Sequence, residues 1–178
     1  MNYQTISEIY EANDKIRANL KALVADLPDG VARALADGEK WTVGEFVEHI
    51  SIVDEGIMRI SAKLLNESKE NGKAANGAAK LSEDFVEKLS GARDAKFEAP
   101  ERVRPTGTKS IAESLAKMDE TRQKLEELKP LFETVDCSDL KFPHPAFGPL
   151  TAHDWLALLG GHETRHIRQI ENALAKIG

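Results

Sequence analysis

The chain has 178 residues, 41% of them hydrophobic, enough for one sizeable core, and a single domain over residues 1–178 is expected. With 24 basic and 30 acidic side chains the formal charge is −6, so there is no basic excess to neutralise phosphates and no nucleic-acid surface is expected. No apolar run approaches the roughly 18 residues of a membrane span, Met1 to Glu8 lacks the basic and apolar regions of a signal peptide, and the one cysteine, Cys137, permits no intramolecular disulfide. These features predict a soluble protein of the cytoplasm with no membrane partner.

The first predicted helix runs from about Tyr3 to Leu27, with Ile6, Ile9, Ile16, Leu20, Leu23 and Leu27 on one stripe and Pro28-Asp29-Gly30 as its stop. Val31 to Leu35 adds at most a turn. The second begins at Trp41-Thr42, where Thr42 and Glu45 have capping-box spacing, and its stripe of Val43, Phe46, Val47, Ile50, Val53, Ile57, Ile60 and Leu64 carries it to Leu64. A polar stretch from Asn66 to Thr108 follows. Within it Leu81 to Leu89 reads as a short helix and Phe97 to Pro105 as extended chain. Connections of that length in a compact domain are usually functional or mobile.

The third long helix starts at Ser110, with Glu113 three residues on, and reaches about Phe132 on the stripe Ile111, Leu115, Met118, Leu125, Leu128 and Phe132. From Cys137 to Leu150, two prolines in His144-Pro-Ala-Phe-Gly-Pro149 forbid a continuous helix. Thr151 then caps a fourth helix to about Lys176, with Trp155, Leu159, His162, His166, Ile170, Ala173 and Ile177 on its seam. No segment carries a convincing strand alternation. An all-α four-helix bundle is expected, its long link between the second and third helices compatible with a crossover.

The chain has only five histidines, and three of them fall on seams that should be apolar. His162 and His166 lie four apart, which stacks them on one helical face. His49 lies three residues after Phe46 and four before Val53, on the inward side of the second helix. Burying an unpartnered polar group costs about 1–3 kcal/mol, and a metal ion shared by three imidazoles removes that cost. Three neutral imidazoles resemble the ligand sets of catalytic zinc sites, and they suit nickel and iron as well, so the donor type does not select the metal.

Two other polar residues sit on or beside seams. Asn13 lies between Ile9 and Ile16, and Arg122 between Met118 and Leu125. Their ordinary roles are fixing bundle register and snorkelling to solvent; the sharper expectation is that both line a ligand cavity beside the metal, with Arg122 gripping an anionic group. His144 is expected to shape its loop and His153 to be solvent-exposed. Glu163, Arg165, Arg168 and Glu171 are expected on the solvated face of the last helix, Glu45 and Glu48 outward on the second, and Cys137 unreactive among Asp136, Ser138 and Asp139.

The series Trp41-Thr42-Val-Gly-Glu-Phe-Val-Glu-His49, Pro105, His144-Pro-Ala-Phe-Gly-Pro-Leu-Thr151, Trp155 and His162-x3-His166-x2-Gln169-Ile170 resembles the DinB-like superfamily, closest to its YfiT-like branch, over nearly the whole chain. The resemblance implies an up-down-down-up four-helix bundle, often dimeric, with His49, His162 and His166 as ligands of a divalent metal. Trp41-Thr42, the His144-Pro145 loop and Gln169 match the family at positions that look structural. Members of known chemistry include thiol-dependent transferases and isomerases using bacillithiol, mycothiol or glutathione.

The leading expectation is therefore a metal-dependent enzyme of low-molecular-weight thiol chemistry, an S-transferase acting on a small-molecule substrate and forming a homodimer. Metal-assisted hydrolysis is a second reading, which needs a carboxylate base near the metal. A third is a non-catalytic stress-response bundle bolted by its metal.

Overall fold

The computed structural model describes residues 2–70, 72–91 and 98–178, and four long helices dominate them. Helix α1 (Ile6–Val24) starts where the Thr5 hydroxyl accepts the Glu8 N–H. A single turn, α2 (Asp29–Ala32), follows Pro28. In α3 (Val43–Glu70) the expected cap forms: the Thr42 N–H donates to Glu45 Oε2 at 2.8 Å and the Glu45 N–H to Thr42 Oγ1 at 3.2 Å. This helix continues past Leu64 because Leu65 and Ser68 are still buried. Helices α5 (Ile111–Thr134) and α6 (Ala152–Ile177) each open on a complete capping box, Ser110 with Glu113 and Thr151 with Asp154.

Two apolar layers stack along the bundle. One gathers Ile6, Ile9 and Tyr10 of α1, Ile57, Leu64 and Leu65 of α3, Leu125 and Phe132 of α5, and Trp155 to Leu159 of α6. The other gathers Leu20 and Val24, then Val43, Phe46, Val47 and Ile50, then Met118, then Ile170 and Ala173. The start of α1 thus shares a layer with the end of α3, the end of α5 and the start of α6. Helices α3 and α5 run against α1, and α6 runs with it, giving the up-down-down-up order.

Because α3 and α5 are parallel, their link must return along the whole bundle, and the long polar stretch does this. It is anchored at both ends. Near its start, Asp154 accepts the Ser82 N–H at 2.8 Å and the Ser82 hydroxyl at 2.6 Å, and Phe85 of the short helix α4 (Glu83–Gly91) packs into the first layer. Near its end, Glu48 accepts the Thr106 hydroxyl at 2.6 Å and the Gly107 N–H at 2.8 Å. Of the expected extended run, Phe97 lies outside the described residues and Glu101–Val103 forms a 3₁₀ turn.

One element was not expected. Strands β1 (Phe142–His144) and β2 (Gly148–Leu150) form an antiparallel hairpin with Phe142 opposite Leu150 and His144 opposite Gly148. Three residues per strand are too few to show a period of two. Among the described residues no helix is long and apolar enough to cross a membrane.

Candidate metal centre

Neighbouring helices α3 and α6 bring the three seam histidines together at one level of the bundle. His162 and His166 stack on one face of α6, and their Nε2 atoms lie 3.1 Å apart. His49 of α3 points at the same place, its Nε2 3.1 Å from that of His162, and the three candidate donor atoms all lie within 4.8 Å of one another. Trp41 and Phe46 wall the cluster, with ring centroids 4.8 Å from His49 and 5.8 Å from His166 respectively. His49 and His166 are buried, and His162 is half-buried.

The arrangement fits a metal better than it fits hydrogen bonding. His49 Nδ1 lies 2.6 Å from the Val103 carbonyl, an acceptor only, so the Nδ1 position carries the proton and Nε2 presents a lone pair. The Nε2 of His162 faces both other Nε2 atoms but has at most one proton to share. A ring nitrogen is either a donor or an acceptor, so direct hydrogen bonds leave one of those contacts unsatisfied. A divalent ion satisfies all three nitrogens, and two nitrogens bound to zinc at tetrahedral angles stand about 3.3 Å apart. The Val103 contact is the outer-shell support that ligating histidines usually have.

Electrostatics favours the neutral, ligating form. Burial lowers the pKa of His49, with the Val103 hydrogen bond opposing it. Burial lowers His162 well below the ordinary imidazole value, helped by His166, His49, Arg165 and His144. His166 falls to about 3, first through burial and then through His49. No imidazole in the cluster has to shed a proton near neutrality before it can bind a cation.

The other singled-out residues have partners of their own, and some differ from expectation. Asn13 and Arg122 both line a small cavity of about 20 Å³ between α1, α5 and α6, together with Arg17 and Asp54. There the Asn13 amide donates to the Leu156 carbonyl at 3.0 Å, and Arg122 is held by Asp14, at 2.6 and 2.8 Å, and by Glu126. His144 does shape its loop: Nδ1 accepts the Ala146 and Phe147 N–H groups at 3.1 and 3.2 Å. Cys137 is buried, and burial pushes its thiol up to about 11.

His153, expected to be exposed, is buried, and its Nδ1 accepts the Lys80 N–H where the crossover passes α6. Glu48, expected outward, is 2% exposed beneath the crossover. Glu163, expected on the solvated face, is fully buried in an ion cluster with Arg17 and Asp54. Opposite charges flanking the seams of three helices were a sequence-level signal for that cluster. The Val103 carbonyl, being backbone, left no signal.

The sequence profile of the DinB superfamily matches residues 12–170. The uncharacterized protein YuaE of Bacillus subtilis (strain 168) is 25% identical over 140 residues, covering 78% of this chain and 80% of its own length. The crystal structure of TT2238, a four-helix bundle protein, superposes with a TM-score of 0.60 at 21% identity, covering 94% of this chain and 98% of that one, a likeness of fold. The chain belongs to the DinB superfamily.

Proposed function

We propose that this DinB-superfamily protein is a divalent-metal-dependent enzyme whose His49, His162 and His166 centre supports S-transferase-type chemistry between a low-molecular-weight thiol and a small electrophilic substrate. The observation that carries the proposal is the convergence of three Nε2 atoms, one of them with its lone pair fixed by Val103. A bound divalent ion would supply Lewis acidity that lowers the pKa of a coordinated thiol. Zinc, nickel and iron all suit three imidazoles.

The chain's own carboxylates favour thiol chemistry over hydrolysis. Hydrolysis would need a free base, and the two glutamates nearest His49 in sequence are committed. Glu45 holds the N-terminus of α3, and Glu48 holds Thr106 and Gly107. Arg165 is the charged side chain that acts on both His162 and His166. A cluster of three protein ligands favours catalysis over a structural bolt, since closed four-ligand sites are the structural ones.

The test is a panel of thiols and electrophiles assayed with protein loaded with zinc, nickel or iron. Thiol consumption that needs the metal and disappears in His162→Ala is the expected result. Hydrolysis of esters or amides without any thiol would replace this reading with the hydrolytic one. A metal held tightly with neither activity would leave the structural reading.

A further inference from the structure

The Arg17 guanidinium lies in the middle of the bundle and joins three helices. It donates through Nε to Glu163 Oε2 at 3.0 Å, and through its terminal nitrogen to Glu163 Oε1 and to Asp54 Oδ2. Asp54 and Glu163 have no exposed side-chain surface, and Arg17 retains 13%. The helices tied in this way are α3 and α6, which carry the three histidines. Asp54 follows His49 by little more than one turn, and Glu163 is the residue after His162.

Arg17 reaches this place because α1 approaches α6 very closely. At Gly160 an added Cβ would sit 2.3 Å from Asn13 Oδ1 and 3.0 Å from Ile16 Cδ1, so the glycine is what lets α1 lie against α6 at this level. From there the Arg17 fork crosses to the α3 side. Few residues could make this bridge: a guanidinium presents several donors in a fixed plane, whereas an ammonium is a single point.

A buried ion cluster is weak evidence for stability, because desolvating its charges consumes most of what their attraction returns. What such a cluster can supply is a fixed geometry, since misplacing either carboxylate leaves a buried charge unpaired. We infer that Arg17, through Asp54 and Glu163, is a positioning residue that sets the spacing of α3 and α6 and thereby holds His49 in register with His162 and His166. The inference rests on the metal reading above and assigns the cluster no contact with substrate.

The experiment measures Co²⁺ and Zn²⁺ affinity by competition with a chromophoric chelator, together with the visible spectrum of bound Co²⁺, which reports ligand geometry. The variants are Arg17→Lys, and a triple replacement with Arg17→Met, Asp54→Leu and Glu163→Met that leaves no buried charge unpaired. Affinity is expected to fall at least tenfold in both, the size of effect typical when an outer-shell support is lost, with a changed Co²⁺ spectrum and helical content retained in the triple variant. Phe132→Leu, in the other layer of the core, is the control: it is expected to lower the melting temperature and leave affinity and spectrum unchanged. A folded triple variant that binds within twofold of the unmodified protein with the same spectrum overturns the inference while leaving the metal reading intact. Should the unmodified protein bind neither ion, the metal reading falls, and the inference with it.

Discussion

Gly160→Ala isolates the contact that seats α1 against α6. On propensity alone the change should stabilise a helix interior by about 1 kcal/mol. The structure predicts the opposite sign. The new Cβ would lie 2.3 Å from Asn13 Oδ1, about 1 Å inside a normal contact, and 3.0 Å from Ile16 Cδ1. Asn13 cannot simply swing away, because it is 7% exposed and its amide donates to the Leu156 carbonyl at 3.0 Å. Either the helices separate, at the roughly 1–3 kcal/mol typical of overpacking, or that hydrogen bond breaks and leaves buried polar groups unmatched, at about 1–3 kcal/mol. Set against the propensity gain, the net loss should reach up to about 2 kcal/mol by urea denaturation at an unchanged slope. The double-mutant cycle with Asn13→Ala sharpens the test. With the clashing amide gone, Gly160→Ala should be neutral or stabilising, a coupling of at least about 1 kcal/mol. If Gly160→Ala stabilised the otherwise unmodified protein, the account of how α1 meets α6 would be wrong.

Three further outcomes are expected. Burial, then Arg102, lowers the His144 pKa to about 4, below the ordinary unfolded value of about 6.5. The unfolded chain therefore gains this proton first as pH falls, and about 2 kcal/mol of stability should be lost between about pH 6.5 and pH 4.5. His144→Asn keeps an acceptor for the loop N–H groups, so its urea midpoint should fall less steeply over that range, and an identical fall would contradict this assignment. Asp154→Ala removes the acceptor of the Thr151 and Ser82 N–H groups and of the Ser82 hydroxyl, which should cost about 2–3 kcal/mol, and a loss under about 0.5 kcal/mol would refute its role as crossover anchor. Glu48→Ala frees Thr106 and Gly107, so trypsin should cut after Arg102 several-fold faster, whereas an unchanged cleavage rate would show the strap is held by other contacts.

Much of the bundle is legible in the sequence because its helices announce themselves twice. Ser110 with Glu113 and Thr151 begin helices whose apolar stripes then recur over many turns. The histidine set is legible for a related reason: His49, His162 and His166 interrupt stripes that Phe46, Val53, Leu159 and Ile170 define, so their inward direction follows from period alone. What the period cannot show is which inward polar groups meet. Glu163 reads as a solvated charge until Arg17 is seen to cross between helices and join it to Asp54, a contact between residues far apart in sequence. The hairpin at Phe142–Leu150 is too short for alternation. The Val103 carbonyl that orients His49 depends on the path of the crossover rather than on any side chain.

Elemental analysis of the purified protein tests whether His49, His162 and His166 form one metal centre. One equivalent of a divalent transition metal per chain is expected in the unmodified protein, and its loss in both His49→Ala and His166→Ala while both remain helical by circular dichroism. Stoichiometric metal retained by both variants, or an unmodified protein that takes up none on reconstitution, would contradict it.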